Sequence, residues 1–135
     1  MRPEEIVQQM MNGDAFSQWL GIDVQTVKPG HAVLSMTVQP AMVNGFTIAH
    51  GGISYSLSDS ALAFAANAYG NKCVSIETSI SHTRPVTIGD TLTATCTELN
   101  RGKTLGIYEV KVTNQDEKLI ALFKGTVHIS KEVWQ

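Results

Sequence analysis

The chain is poor in cysteine, with only Cys73 and Cys96. Neither belongs to a Cys-x-x-Cys pair and both fall in strand-like runs, so free thiols in a reducing cytoplasm are the expectation. There is no surplus of basic residues: 10 Lys and Arg stand against 12 Asp and Glu, for a net charge of −2. That balance argues against a nucleic-acid partner. There is no long apolar run either. The longest uncharged stretch is broken by Asn, Gly, His and Pro, so no membrane span is expected. The acidic start, Met1-Arg2-Pro3-Glu4-Glu5, lacks the apolar core of a secretory signal. His31, His50, His82 and His128 show no paired spacing, which disfavours a metal site. A Gly-x-Ser-x-Gly elbow is missing, which disfavours a serine hydrolase.

What is present is one ordinary domain, residues 1–135, with 43% hydrophobic residues. Ile6, Val7 and Met10 lie at helical spacing, and Asp14 follows Asn12-Gly13 as a cap, so residues 3–20 read as one or two short helices ended by Gly21. Residues 22–28 and 31–38 read as two strands joined by Pro29-Gly30. After a loop over 39–49, a helix is predicted from 51 to 68, with Ile53, Leu57, Ala61, Phe64 and Ala68 near helical spacing. It is apolar almost all round, so it should be buried on most sides. Four strands follow over 73–83, 91–99, 104–113 and 118–129, separated by turn chemistry. In the first of them Val74, Ile76, Thr78 and Ile80 alternate as one face. Short turns favour an antiparallel meander of these four. An α+β fold follows, in which a curved, mainly antiparallel sheet wraps one central helix behind a short helical lead.

One absence is local. Between Lys28 and Lys72 the only Asp, Glu, Lys or Arg is Asp59. It lies inside the most apolar helix. A buried charge is costly, so such a residue is either satisfied by the fold or kept for chemistry. Ser56, Ser58 and Ser60 are near enough in sequence to satisfy it. The helix opens on His50-Gly51-Gly52, with Asn44 in the loop before it. Backbone N–H groups at a helix start, aided by the helix dipole, suit a carbonyl oxygen that is becoming an oxyanion. The glycines also serve a tight loop-to-helix turn.

The run Asn44-Gly45-Phe46-Thr47-Ile48-Ala49-His50-Gly51-Gly52, with Leu57-Ser58-Asp59-Ser60-Ala61 and Asn67, resembles the PaaI-like thioesterases of phenylacetate degradation. Arg84-Pro85, Gly89-Asp90-Thr91-Leu92 and Gly102-Lys103-Thr104 extend the resemblance over nearly the whole chain. It implies a hotdog fold and an acyl-CoA thioesterase that acts on an aryl-acyl-CoA of the phenylacetyl or hydroxyphenylacetyl class. It also implies that Asp59 is the catalytic carboxylate and Gly51 the oxyanion donor, with Asn44 and His50 in support. Substrate contacts are expected at Gly52, Ser60, Arg84 and Lys103, and Arg101 is a further candidate for the CoA phosphates. No cofactor is expected, because coenzyme A arrives as part of the substrate.

Spacing adds an expectation about assembly. Gly51 and Asp59 are eight residues apart, about 12 Å along one helix axis. Both must lie near one carbonyl, so a second copy with its helix antiparallel is needed, and a homodimer or dimer of dimers is expected. Asp59 would then attack the thioester or take a proton from water. The competing readings are a thioesterase for other acyl-CoAs, a hotdog dehydratase or hydratase, and a non-catalytic acyl-CoA-binding protein. Asn44, where those dehydratases carry an acid, counts against them.

Overall fold

The computed structural model describes residues 1–135. Helix α1 (Pro3–Gly13) starts on a proline, whose missing N–H costs nothing in a first turn, and buries Ile6 and Val7. Asp14 caps α2 (Ala15–Leu20) by accepting from the Ser17 N–H at 2.9 Å. Gly21 closes α2 at φ 72°, a left-handed conformation that glycine adopts without strain. Strands β1 (Asp23–Lys28) and β2 (His31–Thr37) form the expected hairpin. A 3₁₀ turn (Pro40–Met42) and an irregular loop lead into helix α3 (Gly51–Asn67). The remaining strands are β3 (Asn71–His82), β4 (Thr91–Arg101), β5 (Leu105–Thr113) and β6 (Leu119–Val133).

All six strands form one sheet in the order β1-β2-β4-β5-β6-β3, and every pairing is antiparallel. The sheet lays its apolar face on α3. From the helix come Ile53, Leu57, Ala61, Leu62, Phe64, Ala65 and Ala66; from the sheet come Leu34, Leu92, Ala94, Cys96, Tyr108, Val110 and Phe123. Each large aliphatic or aromatic side chain buried here contributes about 1.5–3 kcal/mol. Gly125 on β6 lets the helix come close, since a Cβ there would sit 2.5 Å from Leu62 Cδ2. The helix is wrapped by the sheet, as expected.

Two expectations about the strands need correction. The last four strands are not a simple meander. Only β4-β5-β6 follow one another, and β3 lies on the far side of β6, at the sheet edge. Residues 83–90 carry the chain across from one edge to the interior. The alternation in β3 is also broken. Its register against β6 shifts between Ser75 and Glu77. The extra residue of such a bulge reverses which side chains face inward. Thr78, Ile80 and His82 therefore turn towards α3, while Val74 and Ile76 are 65% and 58% exposed. At the other end β6 runs past the expected residue 129 to Val133, because it pairs with Asn71 and the Trp134 indole donates to Asn67 Oδ1 at 2.8 Å.

Candidate active site

The start of α3 is built by a loop that folds on itself. Asn44 Oδ1 accepts from the Phe46 N–H at 2.8 Å and from the Ile48 N–H at 3.4 Å. This turn leaves the Asn44 amide NH₂ as its free polar end. The loop is pinned by Ala49 N–H to Val86 O at 2.7 Å and His50 N–H to Met42 O at 2.8 Å. His50 is the cap of α3: its Nδ1 accepts from the Gly52 N–H at 2.9 Å. An accepting Nδ1 in a neutral ring leaves the proton on Nε2, which is then a donor. The Ile53 N–H is taken by His50 O. The Gly51 N–H has no acceptor in the chain. One donor at this helix end is therefore open, and it belongs to Gly51 rather than Gly52. Gly52 contributes space, because a Cβ there would meet His50 Nδ1 at 3.0 Å.

A cavity of about 400 Å³ opens in front of that donor. Asn44, His50, Gly51, Ser54, His82 and Arg84 supply its polar wall, and Ile48, Ala49, Val86 and Leu92 its apolar one. Four of the residues singled out in the sequence, Asn44, His50, Gly51 and Arg84, thus meet here.

Asp59 lies further along α3 and is partly buried. None of the serines around it satisfies it. Ser58 donates to Ser54 O at 2.8 Å, and Ser60 is bonded to Ser17 at 2.8 Å. The ion pairs of the chain, Arg2–Glu5 and Lys111–Glu109, lie elsewhere. Burial pushes the Asp59 carboxyl above the usual carboxylate range, and the charge of Asp14 adds to the shift. A carboxylate left without hydrogen bonds or a cation keeps its lone pairs available for chemistry.

The Thioesterase superfamily model matches residues 46–121, which hold both the open Gly51 amide and the unpartnered Asp59. The chain belongs to the thioesterase superfamily. It is 42% identical over 119 residues to Acyl-coenzyme A thioesterase PaaI of Escherichia coli (strain K12), covering 88% of this chain and 85% of that protein. Its fold superposes on the E. coli PaaI structure with a TM-score of 0.94, at 38% identity, covering 97% of this chain and 95% of that one. It is also similar to a Streptococcus mutans UA159 protein solved with acetyl CoA, at 25% identity and a TM-score of 0.81, covering 84% of this chain and 91% of that one. The resemblance to PaaI-like proteins and the hotdog fold both stand on these matches.

The remaining expected contacts are dispersed in this thioesterase. Ser60 ties α3 to α2, since its partner Ser17 also donates to Asp14 Oδ2 at 2.6 Å. Arg101 is not a free surface cation. Its Nη1 donates to Ala66 O at 3.3 Å and to Tyr108 Oη at 3.2 Å, and its guanidinium lies 3.8 Å from the Tyr69 ring centre. It closes the C-terminal end of α3. Lys103 lines a separate concavity near that end, with Asn71, Arg101, Ser130 and Lys131. His82 enters the cavity without having been singled out for chemistry. The signal available in sequence was its parity with Thr78 and Ile80 along β3.

Proposed function

We propose that the protein hydrolyses acyl-coenzyme A thioesters to free acid and coenzyme A, with an aryl-acyl group of the phenylacetyl or hydroxyphenylacetyl class as its acyl part. The observation that carries this is the open Gly51 N–H at the start of α3 together with the unpartnered Asp59 on the same helix. The thioester carbonyl docks on the Gly51 N–H, where the helix dipole favours the oxyanion. Asn44 Nδ2 and His50 Nε2 are donors beside it and orient the carbonyl or a water. Asp59 attacks the carbonyl carbon or takes the proton of that water. Burial and the nearby Asp14 raise its carboxyl above the usual carboxylate range, so its ionised form is less well solvated than in bulk water. Arg84, an exposed cation in the cavity wall, and Lys103, in its separate concavity, are the cations offered to the coenzyme A phosphates. Gly52 shapes the helix start. Two neighbours support the substrate class: PaaI of E. coli is named for acyl-coenzyme A, and the S. mutans protein holds acetyl CoA. This reading calls for no cofactor, because coenzyme A arrives as part of the substrate. The buried Cys73 and Cys96 thiols suit a reducing cytoplasm, and no helix is long and apolar enough to cross a membrane.

The same reading requires a second protomer. Asp59 cannot reach the carbonyl held by Gly51 of its own helix. The outer edge of β3 has unpaired backbone groups and exposes Val74 and Ile76. An exposed apolar edge strand favours pairing with another chain. Two β3 edges paired across a two-fold axis set the two α3 helices antiparallel and bring Asp59 of one protomer towards Gly51 of the other. We assign a homodimer of this kind, alone or as a dimer of dimers. The direct experiment is thiol release from a panel of aryl and straight-chain acyl-CoAs. Highest kcat/KM on phenylacetyl-CoA or a ring-hydroxylated relative is expected. A preference for medium-chain esters would move the acyl assignment, and no release from any of them would sink the enzymatic reading.

A further inference from the structure

We infer that His82 is a catalytic residue of this site, the acceptor for the proton of the hydrolytic water. The inference rests on the thioesterase reading above and deepens it for the route in which Asp59 attacks the carbonyl carbon, leaving the water proton to another base.

His82 is the last residue of β3, where the bulge at Ser75/Glu77 has turned its side chain towards α3. Its ring stands directly against Gly51. A Cβ added to Gly51 would lie 3.1 Å from His82 Nε2 and 3.3 Å from Cε1. The other ring nitrogen, Nδ1, is 3.4 Å from Ser54 Oγ. Ser54 in turn donates to Gly51 O at 3.2 Å. A hydroxyl has one proton, a carbonyl can only accept, and both contacts are satisfied together when Ser54 gives its proton to Gly51 O. The proton between Ser54 and His82 therefore belongs to Nδ1, which donates to Ser54 Oγ. That leaves His82 Nε2 with a free lone pair, beside the one open amide of the helix start.

The two histidines of the cavity thus hold opposite tautomers. His50 accepts at Nδ1 from the Gly52 N–H and offers a proton at Nε2. His82 gives its proton at Nδ1 and offers a lone pair at Nε2. One is suited to a carbonyl oxygen and the other to water. Both are set by backbone groups of the same turn, Gly52 N–H and Gly51 C=O, so the division of labour is built into the helix start.

A water O–H bond breaks and its proton goes to His82 Nε2. The water oxygen bonds to the acyl carbon, and the carbonyl electron pair moves to the oxygen held by the Gly51 N–H. The acyl group is by then an anhydride on Asp59, the coenzyme A thiolate having left when Asp59 attacked, so collapse of that oxyanion expels the Asp59 carboxylate. The proton on His82 then passes to the thiolate or to bulk water, and the neutral ring returns.

The test uses the intact protein and phenylacetyl-CoA, or the best thioester of the panel, with circular dichroism and sedimentation confirming fold and assembly. His82→Ala is expected to lose about 10²-fold in kcat with KM changed by less than about threefold. Added imidazole should restore turnover to His82→Ala in a saturable way and should do nothing for Asp59→Asn. His82→Gln can hold a hydrogen bond at this place but takes no proton, so its kcat should stay low; it also serves if the Ala variant fails to fold. Wild-type kcat in either variant, a defect confined to KM, or a loss in His82→Ala that imidazole does not relieve overturns the assignment. An active wild-type enzyme with an active His82→Ala sinks this inference alone, whereas a wild-type protein that releases no coenzyme A sinks the thioesterase reading itself.

Discussion

Asp14, the cap of α2, acts on Asp59, midway along α3: the two are like charges near each other, and both burial and Asp14 hold the Asp59 carboxyl above its ordinary range. The fold therefore keeps an acid where its ionised form is disfavoured. Removing the Asp59 charge should relieve a cost to the fold while removing the group the chemistry needs.

Asp59→Asn should keep the fold and lose about 10²- to 10⁴-fold in turnover, the span expected for a missing base or nucleophile. It should also melt higher than the wild type at neutral pH. The sign follows from linkage. A carboxyl whose folded pKa is raised costs nothing when protonated in both states, and its cost grows as pH rises through and beyond its unfolded value of about 3.9. The gain in melting temperature should therefore appear above pH 4 and vanish below it. Calorimetry across pH, with turnover at pH 7, checks both halves; a variant that turns over like the wild type would remove Asp59 from the chemistry.

Asp14→Asn keeps an oxygen to cap Ser17 but removes the charge. The Asp59 pKa should fall, so that Asp59 is ionised further into the acid range. The acid limb of kcat/KM should move to lower pH, with little change on the plateau. A limb that stays in place, measured between pH 4 and 7, would show that Asp59 ionisation does not set it.

Gly51 and Asp59 can be tested for sharing between protomers. Gly51→Pro removes the open N–H, and Asp59→Asn removes the carboxylate. Each homodimer should be nearly inactive. After subunit exchange about half the dimers are mixed and half of their sites are intact, so roughly a quarter of the wild-type rate should return. No recovery despite proven exchange and sound folding would place both groups in one chain.

Val74→Lys with Ile76→Lys puts two charges on the exposed edge of β3, where like charges on paired edges repel. Sedimentation should show monomer, and activity should fall with it. An active monomer at assay concentration would refute the shared site.

Arg84→Ala and Arg101→Ala should separate a substrate cation from a fold cation. Arg84 lines the cavity, so its loss should raise KM and leave kcat near the wild type. Arg101 bonds Ala66 O and Tyr108 Oη, so its loss should cost about 1–3 kcal/mol of stability and leave KM unchanged. Denaturation midpoints and steady-state kinetics read the two effects independently.

Much of this protein is determined locally, and that part is legible in its sequence. The periodic apolar residues of α3 and the alternation in β2, β4, β5 and β6 fix element type and buried face, because both depend on neighbours within one or two turns or pleats. Asp59 stands out for the same reason: no other charge lies between Lys28 and Lys72. What the tertiary structure decided is which polar groups are already spent. Ser60 is taken by Ser17, Gly52 N–H by His50, and Arg101 by Ala66, across separations of 43, 2 and 35 residues. Only the assembled chain shows that Gly51 N–H and Asp59 have no such partner. It likewise carries β3 past β6 to the sheet edge and, through one bulged residue, turns His82 onto Gly51. Strand order and bulges are set by long-range pairing, in which every strand competes for every edge, and no local pattern encodes the outcome of that competition.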